Sequence, residues 1–181
     1  MDVDKIEGVT IGTVLAFVPA GFIVLGAFAG HSVPLAGWLW TATAGETSVG
    51  NFFCVLLASV SLGVLISGIR AFSIDTLLYM LGRQNIVKNL PPPALDFAKL
   101  KSSDALAAFT GIVENYYKFY QFYSNVAVAL VIFWLSHALA PLAQGWPLLY
   151  HVALALAVVS LLWSCTDSLR RYSIAITKLQ V

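Results

Sequence analysis

The sequence predicts an all-α integral membrane protein. Its expected architecture is a four-transmembrane-helix bundle made of two duplicated two-span hairpins, with a helical cytoplasmic extension. Three observations carry this expectation. The 181 residues are 59% hydrophobic and only 10% charged, whereas soluble domains carry about 25% charged residues. Four stretches are long and apolar enough to cross a hydrocarbon core of about 30 Å at a rise of about 1.5 Å per residue. The ten basic residues all fall on one side of those stretches. Their near balance with nine acidic residues argues against a nucleic-acid partner, which would need a basic face, and against an acidic disordered chain. Residues 1–181 read as a single membrane domain.

The first predicted span runs from about Thr10 to Gly30 and the second from about Asn51 to Ile69. The third covers about Ser124 to Leu142, the fourth about Leu148 to Thr166. None holds an internal Lys, Arg, Asp or Glu; Asp167 follows the last. Backbone polar groups in lipid must be satisfied within the segment, so each is expected to be a helix. Pro19 and Gly21 fall mid-span, where a proline removes one backbone bond and kinks the helix. Ala27-Phe28-Ala29 resembles a signal cleavage site. The acidic start and the length of the apolar run favour a retained span instead.

Orientation follows from the basic residues. Lys5 precedes the first span, and Arg70, Arg83, Lys88, Lys99, Lys101 and Lys118 lie between the second and third. Arg170, Arg171 and Lys178 follow the fourth. The loop from His31 to Gly50 and the turn from Ala143 to Pro147 have none. The positive-inside rule therefore puts both termini and the segment at about 70–123 in the cytoplasm.

Self-similarity suggests the duplication. His31-Ser-Val-Pro34-Leu-Ala-Gly37-Trp38-Leu resembles His137-Ala-Leu-Ala-Pro141-Leu-Ala-Gln-Gly145-Trp146-Pro-Leu. Val60-Ser61-Leu62 leading to Arg70-Ala-Phe72-Ser73-Ile74 resembles Val159-Ser160-Leu161 leading to Arg170-Arg-Tyr172-Ser173-Ile174, with one residue inserted. Two-span copies keep one orientation and would be related by an axis along the membrane normal. Convergence is the competing explanation, since Pro, Gly and Trp suit any outer turn. Ser59, Gly63 and Ser67 recur at every fourth residue of the second span, and Ser160, Ser164 and Ser168 on the fourth. Such faces let helix backbones approach closely, or would line a pore between subunits.

In the cytoplasmic segment, Ala71 to Leu81 reads as an amphipathic continuation of the second helix, with Ile74, Leu77, Leu78 and Leu81 on one side. Pro91-Pro92-Pro93 forces an extended break. Ser102 or Ser103 suits an N-cap, with Asp104 favourable in the first turn. A helix from there should pass Gly111 and enter the third span. It carries Tyr116, Tyr117, Phe119, Tyr120, Phe122 and Tyr123, six aromatics in eight residues. The expectation is an interfacial aromatic belt; because the rings go round the helix, a docking surface for a partner or lipid is the alternative.

Arg70-x4-Asp75 after a Ser/Gly-rich span, followed by Tyr117-Lys-Phe-Tyr-Gln-Phe-Tyr-x-Asn125, resembles a group of uncharacterised bacterial four-span proteins. The resemblance implies a bacterial inner-membrane setting and brings no activity, cofactor or catalytic residue.

Few residues suggest chemistry. His31, His137 and His151 fall near the outer ends of spans and Glu46 in the outer loop. They are weak candidates for a metal or haem site, because no recognised ligand spacing is present. Asp167 has Arg170 and Arg171 three and four residues on, the spacing of local ion pairs on a helix. Arg70 is placed to pair with Asp167 or Asp75. Cys54 and Cys165 are expected near opposite faces of the bilayer. No zincin, nucleophile-elbow, phosphate-loop or C-x-x-C motif occurs, so neither an enzyme nor a resident cofactor is expected. The leading expectation is a non-enzymatic, homo-oligomeric membrane subunit that presents its cytoplasmic helices to a protein partner. An oligomeric pore or membrane-permeabilising effector, with a role in phage defence, is the first alternative. A haem- or quinone-linked electron carrier is the second.

Overall fold

The computed structural model describes the backbone of residues 3–43, 49–83, 96, 102–138 and 147–179, with side chains for all of these but 3–13, 15, 40–43 and 83. Glu46, Pro91–Pro93 and the turn at 143–146 lie outside the described residues. The regular elements are all helical, with no strand among the described residues. In order they are α1 (Val3–Ala29), α2 (Val33–Thr43), α3 (Val49–Arg70), a π-helical turn (Ala71–Asp75), α4 (Thr76–Arg83), α5 (Ser103–Ile112), a second π-helical turn (Val113–Tyr117), α6 (Lys118–Ala138) and α7 (Leu148–Leu179).

Three continuous helices are long and apolar enough to cross a membrane: Val49–Gly82, Ser103–Ala138 and Leu148–Leu179, of 34, 36 and 32 residues. At about 1.5 Å per residue they measure roughly 50 Å, against a hydrocarbon core of about 30 Å. Each therefore exceeds its apolar run by several turns. The expected continuation beyond Arg70 is present. So is the expected N-cap: Ser102 accepts a hydrogen bond from the Ala105 amide at 3.1 Å, with Asp104 in the first turn. The helix it starts runs past Gly111 into α6. In α1 the described apolar stretch is Ala16–Ala29, shorter than a span on its own.

The segment from His31 to Gly50, expected as a loop, contains α2 instead. Ser32 accepts from the Leu35 amide at 3.4 Å, and Pro34 sits in the first turn, where its missing N–H costs nothing. Leu35, Trp38 and Leu39 then cover Leu25 of α1 and Val55 of α3.

Helices in lipid associate through close packing, because lipid tails are as apolar as leucine. Here α1 packs on α3 and α6, and α6 packs on α3 and α7. At the α1–α3 crossing, a Cβ on Gly21 would collide with the Ser59 carbonyl, and one on Gly63 with the Phe17 carbonyl. Only glycine permits so close an approach. Ala20, Val24, Ile66 and Ala129 fill the layer shared by α1, α3 and α6. The Asn125 amide of α6 donates to the Ala16 carbonyl at 3.0 Å, one turn before Pro19.

The two small-residue stripes meet different fates. Ser59 and Gly63 are buried against α1 and Ser67 is half-buried, so this stripe is a packing face. On α7 the buried stripe is Cys165, Leu169, Ser173 and Ile176. Ser160 is exposed, and Ser164 and Ser168 are half-buried at the edge. The serine stripe of the fourth predicted span thus misses the packing core.

Candidate functional site

The densest set of interacting polar side chains lies where α3, α6 and α7 leave their apolar runs, called here the basic end. Leu78, Tyr120, Cys165 and Leu169 form its buried centre, with Ile74, Tyr117, Tyr123 and Tyr172 packed around it. Arg70 ends α3 and is buried, only 4% exposed. A buried guanidinium is costly unless paired, and two contacts compensate it. Its Nη1 lies 3.3 Å from Asp75 Oδ1. Its Cζ stands 5.3 Å from the centroid of the Tyr120 ring, within range of a cation–π contact. The Tyr120 hydroxyl donates to the same Asp75 oxygen. One carboxylate oxygen therefore joins α3 to α6.

The π-helical turn makes this possible. Arg70 and Asp75 are five residues apart, a spacing that an α-helix does not place together and that one wide turn does. Asp75 keeps 37% of its side chain exposed, so the pair is screened on one side. Tyr120 lies before the apolar run that starts at Ser124. Its hydroxyl pKa is pushed up, first by burial and then by the bond to Asp75. Burial, with a smaller contribution from Tyr117, also raises that of Tyr172, which lies beyond the run ending at Thr166. The neutral Tyr120 phenol donates its hydrogen bond to Asp75 and supplies no charge. Within the cluster the Arg70 Nε has no hydrogen-bond partner among the described residues.

The remaining expected sites resolve one by one. Arg70 pairs with Asp75, and Asp167 pairs with Arg171 at 2.7 Å. Arg170 is exposed. The proposed aromatic docking surface divides. Tyr120 is internal, and the Tyr117 ring meets that of Tyr172 at 5.3 Å between centroids, tilted by 44°. Tyr123 packs on the cluster, with Phe119 and Phe122 against it. Tyr116 and Phe122 are half-buried, and Phe119 is half-exposed. Tyr117, Tyr120 and Tyr123 of the expected belt are thus spent on internal packing beside α7, which a helical wheel of α6 alone does not reveal. The burial of Arg70 was also illegible, because its partners depend on the π-helical turn.

At the opposite end, His31 and His137 lie 6.3 Å apart between ring centroids. Nδ1 of His137 is 3.0 Å from the Phe133 carbonyl. His151 accepts from Trp134 Nε1 at 2.9 Å. Among the described residues, no group of three or more His, Cys, Asp or Glu side chains is arranged to hold a metal. Cys54 is exposed, Cys165 buried, and both are free.

Taken together, the basic end shows a helix junction fastened by an ion pair, a phenol and an aromatic–cation contact. Comparison of the chain with family models, curated proteins and solved structures finds no match.

Proposed function

We propose that the chain is a non-enzymatic membrane subunit that crosses the bilayer four times, assembles with copies of itself, and presents a helical projection to a cytoplasmic protein partner. One observation supports this most. The three long helices exceed a bilayer core by roughly 20 Å, and the excess is fastened by Arg70, Asp75 and Tyr120. A fastened projection is a surface of defined shape, as a platform requires. On this reading α1 supplies the remaining span, the basic end faces the cytoplasm of a bacterial inner membrane, and the outer end carries α2. The hairpins α1–α3 and α6–α7 are read as diverged duplicates, on the strength of the matched sequence segments.

The pore alternative has less to draw on, since α1 occupies the Ser59/Gly63 face and only the Ser160/Ser164/Ser168 edge is left to line a path. The electron-carrier alternative rests on the His31–His137 neighbourhood and would give a coloured protein.

The test pairs two readouts. Mass photometry in nanodiscs reads the number of copies. A photo-crosslinking residue placed in cells at Phe72, 86% exposed on the projection, or at Trp163, 79% exposed on the apolar run, reads the neighbours. Oligomers, with protein adducts at Phe72 and none at Trp163, are expected. A monomer without protein adducts at Phe72 would contradict the proposal, and ion flux through the reconstituted oligomer would move it to the pore.

A further inference from the structure

The burial rhythm of the long helix Val49–Gly82 breaks at the π-helical turn. Along α3 the buried positions are Val55, Ser59, Gly63, Ile66 and Arg70, the three-and-four spacing of one helical face. Continued as an α-helix, that face would next present Ile74, then Leu77 and Leu81. The structure instead buries Leu78, 7% exposed, and leaves Leu77 56% exposed; Gly82 is buried in turn. The wide turn holds one residue more than an α-turn, so everything after it is set back by one position, about 100° of rotation.

We propose that α4 is a two-register element, held in the observed register by Asp75. In this register the carboxylate meets Arg70 of α3 and Tyr120 of α6, with Cys165 of α7 beneath them. In the other register the turn closes to α, Ile74, which already packs at the edge of the Tyr120 cluster, moves into the place of Asp75, and Leu77 takes the place of Leu78. The sequence supplies an apolar residue for the central position in either case, which is what makes two packings of similar quality available. The observed register gains the ion pair and the phenol bond. The alternative gains a regular helix, releases Asp75 to water, and leaves the buried Arg70 guanidinium with the Tyr120 ring alone. The contacts of Asp75 therefore select the register, and α4 turns about its axis when they are removed. The outward face of α4 would then change, whatever partner it meets.

The test reads the register directly. In a Cys54→Ala chain, Leu77→Cys and Leu78→Cys are made singly and labelled in nanodiscs with a membrane-impermeant maleimide. Position 77 should label several-fold faster than 78 when Asp75 is present. With Asp75→Ala the order should reverse. Deleting Phe72, an exposed residue within the wide turn, removes the extra residue and sets Arg70 and Asp75 four apart. In that chain 77 should stay fast and 78 slow whether or not Asp75→Ala is added. An unchanged order in Asp75→Ala would overturn the proposal, because the turn is then fixed by something else. Equal fast labelling at both positions would also overturn it, as loosening without a second register. So would a Phe72 deletion that exposes position 78.

Discussion

The helices α3 and α7 share a spacing of small residues and an exit sequence of arginine, aromatic, serine and isoleucine, yet the structure uses them in opposite ways. On α3 the small residues Ser59 and Gly63 are covered by α1, Arg70 is buried, and Ser73 is exposed with its hydroxyl donating to the Ile69 carbonyl at 2.7 Å. On α7 the matching Ser160 is exposed, Arg170 is exposed, and Ser173 is buried. Phe72 stands free of the bundle at 86% exposure, while the Tyr172 ring packs at a tilt against Tyr117. The exits are thus rotated relative to each other. A glycine makes the difference in the apolar run, because Gly63 admits the α1 backbone where a serine would not. An acid makes it at the boundary, because Asp75 follows Arg70 at a distance that a π-helical turn can close.

The largest difference between the two helices is expected at the glycine. Gly63→Leu has no room for its side chain beside the Phe17 backbone. It should cost about 3 kcal/mol, the upper end for overpacking, in a denaturant titration of the detergent-solubilised protein. Ser164→Leu, at a half-buried edge, should cost well under about 1.5 kcal/mol. Comparable losses would mean that the α1–α3 crossing is not the tight contact of the bundle.

The two arginines come next. Breaking a fully buried ion pair costs about 3–5 kcal/mol, and an exposed one about 0–1 kcal/mol. Arg70 is buried but Asp75 is 37% exposed, so Arg70→Gln should fall between, at about 2 kcal/mol. Arg170→Gln should stay within about 0.5 kcal/mol. Smaller than the Arg70 effect is that of Asn125→Ala, which removes one interhelical bond to the Ala16 carbonyl. It should cost about 1 kcal/mol, the range for such bonds in membranes. Last, the Ser59 hydroxyl has no partner among the described residues. Ser59→Ala should therefore be neutral or stabilising by up to about 1 kcal/mol, and a clear loss would point to a partner for that hydroxyl.

How far the sequence reached depends on the range of the interaction involved. Local signals were legible: the length of the apolar runs, the Ser102 cap, and the amphipathic run after Arg70. The Ser32-x-Pro34 start of α2 was also present in the sequence, but the apolar and uncharged segment after it has no amphipathic rhythm to mark a helix. The candidate site was legible only as a set of residue types at a boundary. Arg70, Asp75 and Tyr120 stood out separately, whereas their union needs a non-α turn and a contact 45 residues apart in sequence. The same applies to the aromatic cluster, where the rings of α6 meet Tyr172 of α7. Of the stripe at Ile74, Leu77, Leu78 and Leu81, Leu77 alone came out mostly exposed, for the same reason of register.

On the proposed topology, the three long helices cross the bilayer with the Arg70 and Lys178 ends on one side and α2 on the other. Four well-exposed positions test it in intact spheroplasts of the Cys54→Ala chain: Val33, Val49, Phe72 and Thr177, each replaced by cysteine. With a membrane-impermeant thiol reagent, positions 33 and 49 should label at once, and positions 72 and 177 only after permeabilisation. Labelling of 49 and 72 from the same side would show that α3 does not span, and 72 and 177 on opposite sides would contradict the paired hairpins.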